Sequence, residues 1–190
     1  MKHFNFAVLF VVSVSFAAAH GAEEVKTLAV GSPAPAFNLP GVDGKNHTLH
    51  EYDKAKILAV LFTCNHCPTA QAYDKRVLQL DADYKNKGVT LVAINPNDPN
   101  AVRLDEMGYT DLSDSLEEMK IRAKDQGFTF PYLYDGQTQS VSHAYGVQAT
   151  PHIYIFDGER KLRYVGAIDE LVHSLQKIRG RGWRKDDPLE

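Results

Sequence analysis

KILAVLFTCNHC, residues 56–67, joins a continuous apolar run to both cysteines of this 190-residue chain. An apolar run of this length is typical of a strand that is buried on both faces of a parallel sheet. Cys64 and Cys67 follow the run directly, and His66 lies between them. A cysteine pair at this spacing is compatible with a metal site, a static disulfide or a redox-active dithiol.

The segments after this stretch alternate between helix and strand patterns. A helix is predicted along 70–84, where apolar residues recur at spacings of three and four, and Gly88 ends it. Ser115 and Glu118 form a capping box, which predicts the start of a second helix. The remaining predicted elements are strands at 89–95 and 130–135, a short helix that ends at Gly146, a hairpin over 152–168 and a final helix over 170–178. This alternation predicts an α/β domain with a mixed, mostly parallel central sheet flanked by helices.

The first 21 residues have the pattern of a secretory signal peptide. Lys2 precedes an apolar run from Phe6 to Ala19 that only two serines interrupt, and small residues close the run. Because the run is shorter than the roughly 20 residues that span a bilayer, a cleaved signal is favoured over a membrane anchor. Cleavage is predicted after Ala19 or Gly21, and export then places the protein in the periplasm or outside the cell.

The composition is that of an ordinary globular protein. Apolar residues make up 44% of the chain and charged residues 24%, and the net charge is −3. Since the chain has no long basic run, we expect no nucleic acid partner. The globular domain is predicted over residues 30–178, and residues 179–190 form a basic and polar tail.

Export and spacing together favour a redox role for the cysteine pair. In an exported protein a pair can oxidise and remain oxidised. A structural disulfide normally closes a long loop, and a pair three residues apart closes almost none. The start of a helix and the neighbouring His66 are expected to lower the pKa of the Cys64 thiol. We therefore expect Cys64 to attack a substrate disulfide and Cys67 to resolve the mixed disulfide.

Pro68 affects the start of that helix. A proline disfavours helical backbone angles at the residue before it, here Cys67. Either the helix begins at Pro68, or its first turn lacks one hydrogen bond, and the sequence leaves both alternatives open.

Several motifs together carry a resemblance to a known family. They are GSPAPAFNLPGVDGK at 31–45, the CNHC stretch, GVTLVAINPND at 88–98, FPYLYD at 130–135 and YGVQATPHIYIFD at 145–157. Over roughly residues 30–168 the chain resembles the thioredoxin-like superfamily, and within it the AhpC/TSA redoxin group of exported, TlpA-like and peroxiredoxin-like proteins. The resemblance implies a thioredoxin-like fold in which Pro151 is the cis-proline beside the cysteine pair. It also implies that Thr150 and Thr63 border the bound substrate.

Three positions depart from the patterns of related families. Thioredoxins have a buried acid in the strand before the first cysteine, and the matching residue here is the apolar Leu58. Thr63 replaces the aromatic residue that usually precedes that cysteine. The peroxiredoxin pattern P-x-x-x-T-x-x-C fits neither Cys64 nor Cys67.

The leading hypothesis is an exported thiol–disulfide oxidoreductase that acts on disulfide-containing proteins or small thiols. It needs no cofactor beyond the redox-active Cys64–Cys67 disulfide and no metal, and a membrane-bound reductant is an expected partner. One alternative is a thiol peroxidase, which uses a peroxide as substrate. A second is a copper-binding module, with the two cysteines and His66 or the distant His143 or His152 as ligands.

Overall fold

A computed structural model describes residues 25–103, 105 and 110–169. The strands are β1 (Asn38–Pro40), β2 (Asn46–Thr48), β3 (Ile57–Phe62), β4 (Val89–Asn95), β5 (Tyr132–Tyr134), β6 (His152–Phe156) and β7 (Leu162–Gly166). The α-helices are α1 (Pro68–Tyr84), α2 (Leu116–Gln126) and α3 (Ser140–Tyr145), with 3-10 turns at Leu49–Tyr52 and Lys85–Lys87. None of the helices within these ranges combines the length and apolar character that crossing a bilayer requires. The signal peptide, the final helix and the tail predicted from the sequence lie outside the described residues.

The central sheet has the strand order β5-β4-β3-β6-β7. β3 lies in the middle, parallel to β4 and antiparallel to β6. β5 is parallel to β4, and β7 is antiparallel to β6. Within this sheet only β6 runs against the other strands, so the mixed, mostly parallel sheet expected from the sequence is confirmed.

The apolar run of β3 contributes to two cores on opposite faces of the sheet, because successive side chains of a strand point to opposite faces. Ala59 and Leu61 pack in one cluster with Leu80 of α1 and Met119 of α2. The intervening residues of β3 pack on the other face with Tyr145 of α3. Burial on both faces explains why the run is continuous and does not alternate with polar residues.

Helix α1 begins at Pro68, which decides between the two alternatives that the sequence leaves open. Cys67 is the N-cap and has extended backbone angles, φ −69° and ψ 120°. These angles are the ones that a following proline favours, and the missing N–H of a proline costs nothing at the first helical position. The cysteine pair therefore lies before the first helical residue, and the Cys67 carbonyl accepts the Gln71 N–H of the first turn at 3.0 Å.

A buried ion pair, which the sequence does not indicate, joins α1 to α2. An Arg122 guanidinium nitrogen donates to a carboxylate oxygen of Asp74, and both side chains are almost fully buried. Burial raises the pKa of Asp74 to about 6, although the Arg122 charge acts in the opposite direction. On α2, Met119 is fully buried, whereas Leu116 is only half-buried.

Candidate active site

Both cysteines lie at the carboxyl end of β3, where they contact the same residue. Cys64 Sγ lies 3.1 Å from the hydroxyl oxygen of Thr150, and Cys67 Sγ donates to the carbonyl oxygen of Thr150 at 3.6 Å. Thr150 precedes Pro151 in the connection between α3 and β6, and the bond between them is cis. The cis-proline that the resemblance implies is thus present beside the cysteine pair.

The two thiols differ in exposure. Cys64 is only 2% exposed, whereas Cys67 is half-buried and lines an open groove. Burial raises the pKa of the Cys64 thiol to about 12, and the nearby Asp114 charge adds to this, while the contact with Thr150 opposes it. The expectation of a lowered pKa at Cys64 is therefore wrong, because the thiol is buried and lies four residues before the first residue of the helix.

Asp114 supplies a buried carboxylate to the site, from the turn that precedes α2. It is fully buried, and one of its oxygens accepts the backbone N–H of Asn65 at 2.6 Å and the Asn95 amide at 2.9 Å. The other oxygen lies 2.5 Å from His66 Nδ1 and accepts the Asn97 amide at 3.0 Å. Sequence reasoning missed Asp114, since the buried acid of thioredoxins comes from the strand, where this chain has an apolar residue.

Asn65 fixes the backbone between the two cysteines. Its side chain is fully buried, and its amide nitrogen donates to the Ser113 carbonyl at 2.6 Å. Tyr132 of β5 donates its hydroxyl to the Asn65 side-chain oxygen at 3.1 Å, and the Gln71 amide donates to the Asn65 carbonyl at 2.8 Å. With these partners the CNHC stretch is connected to β5, α1 and the turn before α2, which limits its freedom to move.

A groove of about 310 Å³ borders Cys67. The residues that line it are Val25, His66, Cys67, Pro96, Asn97, Gln139, Ser142, His143, Val147, Gln148, Ala149 and Thr150. Thr63 lies elsewhere, since it is buried and its N–H continues the sheet ladder to the carbonyl of Ile94. The substrate contact at Thr63 stays a prediction, whereas His66 and Thr150 line the groove.

Residues at the start of the described chain form one wall of this groove. The Gln148 amide donates to the Val25 carbonyl at 2.8 Å, and the Thr27 hydroxyl donates to the Gly146 carbonyl at 3.1 Å. Gly146 has a φ of 66°, and a Cβ on it would lie 2.1 Å from the carbonyl oxygen of Lys26. Glycine is thus required here both for the backbone angle and for the close approach of the two segments.

The Redoxin family profile matches residues 29–178. The chain belongs to the Redoxin family. The matched range contains the cysteine pair, Asp114 and the cis-proline.

Individual relatives of this redoxin include enzymes and a solved structure. A thiol-disulfide oxidoreductase ResA from Geobacillus kaustophilus is 29% identical over 160 residues, which cover 82% of each chain. A Mycobacterium tuberculosis protein that carries a peroxiredoxin name is 27% identical over 145 residues, 75% of this chain and 80% of the relative. The crystal structure of an uncharacterized conserved protein from Geobacillus kaustophilus matches with a TM-score of 0.71 and 33% identity, covering 84% of this chain and 87% of that one.

These comparisons confirm the thioredoxin-like fold and make this redoxin a thioredoxin-like oxidoreductase. Its substrates are, in general terms, thiols or disulfides. The geometry agrees with this class, since two free thiols converge on Thr150.

Neither His143 nor His152, the two more distant candidate ligands, joins the group formed by Cys64 and His66. His143 is exposed and lines the groove. His152 is half-buried with Nδ1 3.2 Å from the Tyr154 hydroxyl, and burial lowers its pKa. Among the described residues, the one group suited to a metal is Cys64, His66 and Asp114, whose ligand atoms lie within 4.8 Å of one another. Each oxygen of Asp114 already has two hydrogen-bond partners, so metal binding there requires some of these partners to leave.

Proposed function

We propose that this redoxin is an exported thiol–disulfide oxidoreductase whose working couple is Cys64 and Cys67. The observation that carries the proposal is the contact of both sulfurs with Thr150, beside a groove that Cys67 lines. One thiolate attacks a disulfide to form a mixed disulfide, and the other thiol releases the product. The substrate class is a protein or small molecule that carries a disulfide.

Turnover of a disulfide substrate tests this proposal. The reduced protein should reduce insulin disulfides with dithiothreitol as the electron donor, and Cys64→Ser and Cys67→Ser should each abolish turnover. The matched control is His50→Ala, which alters an exposed histidine that does not line the groove. Turnover by either cysteine variant at the wild-type rate would refute the dithiol mechanism.

The reduction potential of the pair decides the direction of electron flow. Equilibration with glutathione, followed by trapping of free thiols, gives this potential. A value at or below about −250 mV indicates a reductant of partner disulfides, and a value near −120 to −180 mV indicates an oxidase or isomerase. A membrane-bound dithiol is the proposed electron donor, and it should reduce the Cys64–Cys67 disulfide in membrane preparations.

Export is the second part of the proposal. It rests on the signal-peptide pattern over residues 1–21. Amino-terminal sequencing of the protein recovered from the periplasm or medium should begin at His20 or Ala22. An intact Met1 would contradict the proposal.

Peroxide reduction is a second candidate function, favoured by the 27% identity to the relative that carries a peroxiredoxin name. In that reaction a cysteine thiolate attacks the peroxide, becomes a sulfenic acid and condenses with the second thiol to a disulfide. Consumption of hydrogen peroxide with dithiothreitol distinguishes this activity from disulfide reduction. A rate no greater than that of the Cys64→Ser/Cys67→Ser double variant would exclude it.

A further inference from the structure

The buried carboxylate of Asp114 contacts the histidine that lies between the two cysteines. Resting on the oxidoreductase function proposed above, with Cys64 as the attacking thiol, we propose that Asp114 is the positioning residue of the couple. It holds the His66 ring beside Cys64 in the orientation and tautomer that accept the Cys64 proton. Cys64 then attacks the substrate as a thiolate that is paired with an imidazolium.

The surroundings of Cys64 oppose the charge of its thiolate. The side chain is 2% exposed, and burial raises the pKa of the thiol to about 12. The Thr150 hydroxyl, 3.1 Å from the sulfur, and the Cys67 backbone N–H favour the thiolate, but they offset only part of the effect of burial. Ionisation of Cys64 at neutral pH therefore calls for a proton acceptor close to the sulfur.

His66 and Asp114 lie where such an acceptor is needed. A ring nitrogen of His66 and a carboxylate oxygen of Asp114 both lie within 4.8 Å of Cys64 Sγ. His66 Nδ1 lies 2.5 Å from Asp114 Oδ2. A carboxylate in this position fixes a proton on Nδ1 and stabilises the imidazolium that forms during proton transfer. The nucleophile, its base and the group that orients the base are thus together in one cluster.

Asp114 can orient the ring because its own position is fixed. The carboxylate is fully buried, and its Oδ1 accepts the Asn65 N–H and the Asn95 amide. Its Oδ2 accepts the Asn97 amide in addition to the contact with His66. His66 itself lines the groove. The ring is therefore held from the interior of the protein while it borders the space in which a substrate binds.

Other titratable groups near Cys64 are poor proton acceptors. Cys67 at the start of α1 and Tyr132 of β5 both face Cys64. The Cys67 thiol acts as a donor in its own contact, and burial raises the pKa of Tyr132 well above its ordinary value. Asp74 and Arg122, which also act on Tyr132, are paired with each other. The role of acceptor therefore falls to the imidazole that Asp114 orients.

The proton moves within the site during turnover. His66 takes the proton of Cys64, and the Cys64 thiolate attacks the substrate S–S bond and forms a mixed disulfide. The released substrate sulfur takes the proton from the His66 imidazolium and leaves as a thiol. The Cys67 sulfur then attacks the sulfur of Cys64, the Cys64–Cys67 disulfide forms, and the second substrate sulfur leaves with the Cys67 proton. The substrate gains two electrons, which a dithiol donor later returns to the protein.

A double-mutant cycle read by alkylation of Cys64 tests the positioning role. Every protein in the cycle carries Cys67→Ser, which keeps the backbone N–H at this position and leaves Cys64 as the only thiol. Iodoacetamide labels the reduced protein at pH 7 in the presence of EDTA, which keeps metal ions off the thiol. Asp114→Asn makes His66 Nδ1 an acceptor, so the ring has the wrong tautomer, and labelling should slow at least about tenfold.

The same substitution should act differently when the ring is absent. The charge of Asp114 by itself raises the pKa of Cys64, so its direct effect on the thiol has the opposite sign. In the His66→Ala background, Asp114→Asn should therefore leave the labelling rate unchanged or raise it. No slowing with His66 present, or equal slowing with and without His66, would overturn the positioning role. The matched control is Asp111→Asn, at an exposed position of the same connection, which should label at the parent rate.

The pH profile of labelling gives a readout that a purely structural role would not move. When an imidazole accepts the proton, the rate levels off once that imidazole is neutral, above about pH 7. A buried thiol without an acceptor reacts about tenfold faster with each pH unit until its pKa is reached. We expect the first profile for the Cys67→Ser parent and the second after Asp114→Asn. Identical profiles would overturn the proposal.

A measurement on the unsubstituted protein covers the case in which Asp114→Asn does not fold. Nitrogen NMR of the reduced protein at pH 8 shows which ring nitrogen of each histidine carries the proton, and His66→Ala identifies the signals of His66. We expect the proton on Nδ1, where Asp114 accepts it. A proton on Nε2 would overturn the proposed orientation.

The positioning role and the function can fail separately. Insulin reduction without coupling between Asp114 and His66 contradicts the positioning role and leaves the function standing. Coupling between the two residues without any insulin reduction supports the positioning role and contradicts the function.

Discussion

Replacement of Asp114 by asparagine tests how much one buried carboxylate contributes to folding. Asp114 is fully buried and interacts with four groups, the Asn65 backbone, the Asn95 and Asn97 amides and the His66 ring. Asparagine has nearly the same shape, so the variant leaves no cavity. It removes the negative charge and replaces one acceptor oxygen by a donor nitrogen.

The structure sets the size of the effect. The Asn65 N–H is fixed in the backbone, so the remaining oxygen of the new side chain must face it, and the new NH₂ must face His66 and Asn97. His66 can adopt the tautomer in which Nδ1 accepts a hydrogen bond from the new NH₂, so the contact between the two side chains is preserved. A hydrogen bond to a charged group contributes about 1 kcal/mol more to stability than a hydrogen bond between neutral groups, and Asp114 makes four such bonds. Part of this loss is offset, because burying an amide costs less free energy than burying a carboxylate. We expect Asp114→Asn to lower the free energy of unfolding by about 3 kcal/mol.

Urea denaturation of the reduced protein at pH 7, followed by circular dichroism, measures this loss as a lower midpoint at an unchanged slope. Asp111→Asn is the matched control, since it makes the same chemical change at an exposed position three residues earlier. The control should stay within about 0.5 kcal/mol of the wild type. A loss below about 1 kcal/mol for Asp114→Asn, or an equal loss in the control, would refute the reasoning.

Three further predictions follow from buried groups. Burial raises the pKa of Cys64 from 9.0 to about 12, so its contribution to stability is fully present below pH 9 and is lost as the pH rises toward 12. The loss should be about 1.4 kcal/mol at pH 10, seen in urea titrations as a pH dependence that Cys64→Ser lacks. Arg122→Met leaves the Asp74 carboxylate buried without its cation, and thermal or urea unfolding should show a loss of about 3 kcal/mol at pH 7. The loss should be smaller at pH 5, since burial already raises the pKa of Asp74 to about 6 and the carboxyl takes up a proton. Tyr132→Phe removes the donor to the Asn65 side chain and should cost about 1 kcal/mol in the same measurement, and an unchanged midpoint would contradict this.

The central sheet could be predicted because the signals for its strands are local. The apolar runs at 56–63 and 89–95 coincide with β3 and β4, and burial on both faces leaves those runs little choice of register. Gly88 and Gly146 mark the ends of helical segments and have φ values of 87° and 66°, as glycines after helices commonly do.

The partners of the cysteine pair could not be predicted because they come from distant parts of the chain. Asp114 and Asp111 belong to the same polar connection and look alike in sequence, yet only Asp114 is buried. Asp114 lies 49 residues from its partner Asn65, and no pattern of spacing relates the two. The Asp74–Arg122 ion pair could not be predicted for the same reason. The two residues are 48 positions apart, and each belongs to a helix whose charged residues resemble a solvated face.

The start of helix α1 did have a signal in the sequence. Pro68 disfavours helical angles at Cys67, and the structure shows that the helix begins at Pro68. With the N-cap at Cys67, Cys64 lies just after the end of β3, where burial is the rule.

The hydrogen bonds that hold Val25 and Thr27 against the loop at 146–148 have a practical consequence for labelling. If processing occurs after Ala19 or Gly21, the new amino terminus lies a few residues before Val25, which itself lines the groove. An affinity tag fused at that end would crowd the approach of a large partner and depress its apparent affinity. A small fluorophore at the same end would instead report the docking of a partner by a change in emission, without alteration of any side chain of the site.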